Sequence, residues 1–161
     1  MYDNFPQAYV LLGAALGAGR QWKDAEAAFS RAIQIDSNNG DAYIGLWTLE
    51  NQQQKFEDAT HNLTSAVKLK PDSFQAHYEL GKAYWALRHD DEAEPHARKA
   101  LELQPDSAEA HLLMGNVLLR KHDNSGALRE FKDSLRIDPK SPYAGATKRM
   151  IDQLEALPKA R

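Results

Sequence analysis

The chain contains no cysteine. Disulfides and thiolate chemistry are therefore excluded, and neither a reducing nor an oxidising compartment is favoured. It also has no apolar run approaching the roughly 20 residues that a membrane-spanning helix needs. The longest candidate, Ala8 to Ala18, is short, so no membrane insertion is expected. No basic segment precedes an apolar one after Met1, and Tyr2-Asp3-Asn4-Phe5 does not read as a signal peptide. Basic charge is not in excess either. The net charge of -3 argues against a phosphate-binding surface, and hence against nucleic acid as partner. With 42% hydrophobic and 27% charged residues, the composition is that of a folded protein rather than a disordered one.

What is present is a repeat with a period of 34 residues. Ala25, Ala59, Ala93 and Ala127 form one column. Leu12, Leu46, Leu80 and Met114 form a second, and Ile35, Leu69, Leu103 and Ile137 a third. Ser37, Pro71, Pro105 and Pro139 close the units. A fixed period of this length marks stacked units that bury their apolar faces against their neighbours. The registers are 6–39, 40–73, 74–107 and 108–141, all within one domain, 1–161.

Each unit reads as two helices. Tyr9, Leu12, Gly13 and Leu16 recur at helical spacing, as do Ala25, Ala28, Phe29 and Ala32. The first helices are expected near 6–19, 40–53, 74–87 and 108–121, and the second near 22–35, 56–69, 90–103 and 124–137. Asp72 stands three residues before Gln75, and Asp106 three before Glu109, as in a capping box. The prolines at 71, 105 and 139 stop the preceding helices. Small residues at Gly13, Gly81 and Gly115, and in the alanine column, let paired backbones approach. Leu16, Tyr84 and Leu118, with Phe29 and Phe131, then fill the space between units. After Pro139, the residues Tyr143, Ala146, Met150, Leu154 and Leu157 give one more apolar stripe opposite a polar face. This predicts a capping helix at about 142–157, ended by Pro158, with Lys159-Ala160-Arg161 fraying.

The columns resemble the tetratricopeptide repeat (TPR) family. In the third unit His77, Leu80-Gly81, Tyr84, Ala93, Ala100 and Pro105 fall at the family's signature spacings. Met114-Gly115, Leu118, Ala127, Phe131 and Pro139 do so in the fourth, and Tyr9, Leu12-Gly13, Ala25, Phe29 and Ala32 in the first. The resemblance covers 6–141. It implies an all-α fold, a right-handed superhelical solenoid of antiparallel helix pairs with the extra helix as C-terminal cap. It also implies a non-enzymatic scaffold that binds a protein or peptide along a concave face lined by the first helices. On that face the resemblance places Val10, Leu11, Ile44, Thr48, Tyr78, Lys82, Trp85, Leu112, Leu113, Asn116, Leu119 and Arg120. Chaperone-binding members grip a carboxylate with Lys, Asn and Arg. The matching columns here hold Val10 and Ala14, Gly45, then Gln75 and Glu79, so an Hsp70/Hsp90 carboxylate-clamp adaptor is not expected. The alternative is a structural spacer or self-assembly element of a larger protein.

Two units depart from the pattern. Trp47 stands where the others have glycine, and Glu50 where they have Leu16, Tyr84 and Leu118. We read this as a compensated packing change, Trp47 supplying volume that Glu50 does not. Pro95 lies about a turn into its helix and predicts a local bend. Ala97 occupies the column of Phe29 and Phe131, which predicts a closer approach of that helix to its neighbour.

No chemistry emerges. His77 and His111 share a column with Tyr9 and Tyr43, which favours packing over a metal site. His89 and His96, with Asp90 and Asp91, lack a recognised metal spacing, and the aspartates read as helix N-caps. Ser30, Ser37 and Ser125 have no partner motif of a nucleophile. No catalytic residue, metal or cofactor is expected. Asp3-Asn4-Phe5 aligns with the junctions Ser37-Asn38-Asn39 and Pro71-Asp72-Ser73. The register thus predicts a segment of a longer repeat protein, with an apolar first helix open to self-association through the N-terminal end.

Overall fold

The computed structural model describes residues 5–53 and 56–157, with the backbone alone over 56–59. The expectations for Asp3 and Asn4, for the side chain of Ala59 and for 158–161 lie outside the described residues. Among these residues there are nine helices and no strand. They are α1 (Pro6–Ala18), α2 (Trp22–Ile35), α3 (Gly40–Gln52), α4 (Phe56–Leu69), α5 (Phe74–Ala86), α6 (Asp90–Leu103), α7 (Ala108–Arg120), α8 (Asn124–Ile137) and α9 (Ala144–Glu155). The four first helices each stop one residue short of the spacing-based expectation, and the last is shorter at both ends.

The turn inside each described pair explains that shortening. Arg20, Arg88 and His122 adopt left-handed backbone, with φ of 58°, 64° and 63°. This lets the next amide reach back five residues, from Gln21, His89 and Asp123 to the carbonyls of Leu16, Tyr84 and Leu118, each at 2.9 Å. These bonds satisfy carbonyls that the helix end leaves open. A non-glycine residue there carries a steric cost of roughly 1–2 kcal/mol, which the pair geometry imposes.

Helix starts differ from the sequence reading. The caps of α5 and α7 are Ser73 and Ser107, whose hydroxyls accept from the amides of Ala76 and Ala110 at 3.2 Å. Asp72 and Asp106 lie one residue too early for that role. Asn39 caps α3 in the same way, at 3.0 Å from the Ala42 amide. Asp90 and Asp91 are not caps. α6 starts from His89 without a side-chain cap, and the two carboxylates reach across to Arg120 and Lys121 of the next unit.

Each helix packs against its pair mate and against the helix that follows. Successive first helices also touch, α1 with α3 and α5 with α7, whereas no successive second helices make comparable contact. The stack therefore curves with the first helices inside.

Glycine columns set the spacing. The Phe29 ring lies where a Cβ on Gly13 or Gly45 would stand, 2.8 Å away for Gly13, and the Phe131 ring lies 2.5 Å from a Cβ on Gly115. Gly81 faces Ala97 instead. With no ring to accommodate, the α6 backbone itself comes close: a Cβ on Gly81 would be 3.3 Å from the Ala97 amide nitrogen and 3.5 Å from the Ala93 carbonyl oxygen. α6 runs through Pro95 as one helix.

Trp47 is buried with Leu63, Leu80 and Ala83. Glu50 accepts from the Asn62 amide at 2.8 and 3.0 Å, so Trp47 supplies the packing volume while Glu50 joins a polar contact. At the C-terminal end, Ile151, with Met150 and Leu154, closes the core that contains Phe131 and Leu135. Lys132 and Glu155 pair across this contact at 2.5 Å.

Candidate functional site

Inward-facing side chains of α5, α7 and α9 enclose an open cavity of about 470 Å3. α5 contributes Tyr78, Lys82, Trp85 and Ala86. α7 contributes Glu109, Leu112, Leu113 and Asn116, and α9 contributes Ala146, Thr147 and Met150, with Tyr143 just before it and Asn51 of α3 at the edge. The spacing is that of helix faces: Tyr78, Lys82 and Trp85 lie on one face of α5, as Glu109, Leu112, Leu113 and Asn116 do on α7. α9 owes its place to the same register as the first helices. Ala144 continues the column of Ala8, Ala42, Ala76 and Ala110, and Ile151 that of Val117.

The site is mostly apolar, with Lys82 and Glu79 paired and Glu109 at its wall beside the Ser107 hydroxyl. Glu79 is buried and accepts from Lys82 at 2.8 Å and Gln75 at 2.9 Å. Burial nonetheless outweighs these partners and raises its carboxyl above the ordinary carboxylate range. The Lys82 ammonium sits 5.0 Å from the Tyr78 ring centre and 5.8 Å from that of Trp47. Burial, then the nearby Glu79 and Glu109, push the Tyr78 hydroxyl well above its usual value, so it remains a protonated donor. Phe74 stacks on Tyr78 with ring centres 5.6 Å apart.

Arg120 covers Trp85. Its guanidinium carbon lies 4.9 Å from the indole ring centre. Nη2 donates to the Trp85 carbonyl at 2.6 Å and to Asp90, and Nε donates to Asp90 at 2.8 Å. The indole Nε1 of Trp85 is buried without a protein partner. Trp85 thus has one role in packing, under Arg120, and another in the cavity wall.

Of the residues placed on the concave face by sequence, the cavity gathers Tyr78, Lys82, Trp85, Leu112, Leu113 and Asn116. It does not gather Val10, Leu11, Ile44, Thr48, Leu119 or Arg120. Val10 packs with Phe29, Leu46 and Leu49, and Leu119 packs on the C-terminal core. Leu11 is exposed. Thr48 lines a separate hollow of about 250 Å3 between α1 and α3, its hydroxyl donating to the Ile44 carbonyl at 2.9 Å. Lys82 and Arg120 are both paired, so neither offers a free cation. Sequence reasoning did not name Asn51 or the lining residues of α9 as part of the site. The alanine column extended to Ala144 was the signal for the latter.

The histidine column holds hydrogen bonds. His77 and His111 donate from Nε2 to the carbonyls of Pro71 and Pro105, at 3.0 and 2.9 Å. Their Nδ1 atoms face His96 Nδ1 at 3.0 Å and Glu130 at 2.7 Å respectively. Burial first, and His77 second, hold the His96 pKa down at about 4. Among the described residues, no group of three or more His, Asp or Glu is placed to hold a metal ion.

Two family models match the chain. One, described as TPR repeat, covers 49–87, and one described as Tetratricopeptide repeat covers 81–142. Together they span more than half of it. No curated protein matches in sequence. Among solved structures, YrrB, described as a TPR protein with an unusual peptide-binding site, superposes with a TM-score of 0.81 at 20% identity, over 96% of this chain and 83% of its own. MamA from Desulfovibrio magneticus RS-1 gives 0.80 at 14% identity, over 93% and 89%. PilF of Pseudomonas aeruginosa gives 0.80 at 19% identity, over 92% and 67%. These likenesses establish an all-α helical repeat solenoid. With the matched repeat models and the in-register columns, they show that the chain belongs to the tetratricopeptide repeat family, whose members are generally non-enzymatic protein-interaction scaffolds.

Proposed function

We propose that this chain holds an apolar segment of another protein in the cavity between α5, α7 and α9. The single array runs over units 6–39, 40–73, 74–107 and 108–141, and it performs no catalysis. The observation that carries the reading is the composition of the cavity. Tyr78, Trp85, Leu112 and Met150 converge there, with Asn51, Asn116 and the Tyr78 hydroxyl as the polar groups that set orientation. Its volume of about 470 Å3 suits large side chains of a peptide rather than an extended charged tail. The paired states of Lys82 and Arg120 speak against carboxylate recognition, so the chaperone-adaptor role remains disfavoured. YrrB, of the same fold, is described as having an unusual peptide-binding site, which supports peptide as the ligand class here.

Selection of a random peptide library on the immobilised chain tests this. The expected winners carry Leu, Phe or Trp anchors and lose binding to a Leu112→Asp variant that circular dichroism shows to be folded. No saturable ligand, or ligands indifferent to Leu112→Asp, would favour the spacer or self-assembly reading.

A further inference from the structure

A hollow of about 50 Å3 adjoins the groove, and Glu109, Leu112 and Tyr143 line both. The charges along this shared wall do not balance. Lys82 is the one cation in either lining, and its ammonium already holds the buried Glu79 at 2.8 Å. Arg120, outside the cavity, is held by Asp90 and the Trp85 carbonyl. The carboxylates that remain are Glu109 and, in the smaller hollow, Asp138. Both are exposed. Among the described residues, Glu109 meets only the Ser107 hydroxyl, at 3.3 Å, and Asp138 only the Lys140 amide, at 3.1 Å. Neither carboxylate has an ion-pair partner among them.

Aromatic surface stands beside the Glu109 carboxylate. Phe74 stacks on the Tyr78 ring and Lys82 sits over it at 5.0 Å, so Tyr78 offers its hydroxyl. Tyr143, by contrast, is 58% exposed and leaves ring surface to an incoming group. Burial first, then Glu79, Glu109 and Tyr143, push the Tyr78 hydroxyl up, which puts Glu109 and Tyr143 within electrostatic reach of it. A carboxylate next to open ring surface suits an ammonium or guanidinium whose apolar stem lies along Leu112. Resting on the groove reading above, we infer that the groove's occupant carries a lysine or arginine next to its apolar anchors, received by Glu109 and Tyr143.

Other flanking residues fit less well. An acidic one meets Glu109 and Asp138 while the nearby cations, Lys82 and Arg120, are already engaged, and like charges set together across an interface disfavour binding. An uncharged one takes water from Glu109 and puts no partner in its place, which costs free energy. Glu109 also lies in the first turn of α7, where the helix dipole favours a carboxylate. A purely structural role there predicts no preference among ligands, so the test reads ligand preference rather than stability.

One random peptide library, selected in parallel on the intact chain and on its Glu109→Gln variant, supplies the probes. On the intact chain, Lys and Arg should be enriched over the unselected library at a fixed distance from the apolar anchor. Glu109→Gln, folded by circular dichroism, should remove that enrichment and keep the anchor. Replacing the basic residue of the strongest binder by norleucine should weaken it roughly three- to fivefold on the intact chain and leave its affinity for Glu109→Gln unchanged. Tyr143→Leu should reduce the same preference. Binders with apolar anchors but no basic enrichment, or a norleucine effect of equal size on both chains, overturn the inference and leave the groove reading standing. Binders that are all indifferent to Leu112→Asp overturn the groove reading, and this inference with it.

Discussion

The concave surface of the N-terminal half and that of the C-terminal half rest on the same helix register, yet they present different things. Between α1 and α3 the hollow measures about 250 Å3 and is lined by Gly13, Ala14, Gly17, Ala18, Gly45 and Thr48, with Phe29 at its base. Between α5 and α7 it measures about 470 Å3 and is lined by Tyr78, Trp85 and Leu112, with α9 as a third wall. The first hollow exists because side chains are small, so it offers backbone and little to grip. The second is made by large side chains standing apart, which gives an incoming residue apolar surface on three sides. The repeat fixes where a concave face lies; the side chains and the capping helix decide which part of it is a site.

The largest test of this difference removes the third wall. Ending the chain after Ser141 exposes the α8 face that Met150, Ile151 and Leu154 cover. We expect a loss of about 3 kcal/mol or more in chemical denaturation, from burial of roughly 1.5–3 kcal/mol per large apolar side chain, together with loss of groove binding. Retained binding would make α9 a structural cap only.

A smaller effect probes the packing beneath the C-terminal groove. Gly115→Val places a Cβ 2.5 Å from the Phe131 ring, which should destabilise by about 1–3 kcal/mol in a thermal melt. Unchanged melting would mean that the ring has room to move.

Acid separates the third and fourth units. His77 and His96 face each other through their Nδ1 atoms at 3.0 Å, while His77 Nε2 donates to the Pro71 carbonyl. Tyr84 stacks on His96, with ring centres 5.8 Å apart, and also on His89. No carboxylate faces the pair in these contacts. The folded pKa of His96, about 4, lies below the roughly 6.5 of a free ring. The unfolded chain therefore takes the proton first. The stabilisation is present above about pH 6.5 and is lost as pH falls from there toward 4. Allowing for partial exposure, the loss should be about 1–2 kcal/mol. His96→Glu, which copies the His111–Glu130 arrangement of the next unit, should flatten that slope in denaturation at pH 7 and pH 5. An unaltered slope would place the acid sensitivity elsewhere.

The smallest effect belongs to the N-terminal hollow. A Cβ on Gly17 would meet nothing nearer than Leu49 Cδ1 at 3.7 Å. Gly17→Ala should stabilise α1 by about 0.5–1 kcal/mol, measured by denaturation, and leave groove ligands unaffected. Weakened ligand binding would extend the site into the first half.

Much of this was legible in the 34-residue columns, because helix position and buried alanines depend on register alone. The absence of a ring against Gly81 followed from Ala97 in a phenylalanine column. The engagement of Arg120 did not follow, since its pairing with Asp90 spans 30 residues. Nor did the caps: Ser73 and Ser107 differ from Asp72 and Asp106 by one residue, a shift that periodicity does not resolve. The first-half candidates Val10, Leu11, Ile44 and Thr48 do not converge on one site: Val10 packs on Phe29, Leu46 and Leu49, Leu11 is exposed, and Thr48 lines the smaller hollow.

Trp85 lines the cavity and also lies under Arg120. The most direct measurement takes Trp85→Ala and records, on one preparation, both melting temperature and affinity for a groove-selected peptide. As a recognition surface, the cavity predicts a roughly 30-fold loss of affinity, about 2 kcal/mol, whatever the cost in stability from the lost Arg120 stacking. A lowered melting temperature with affinity unchanged would contradict the account and make Trp85 an internal packing residue.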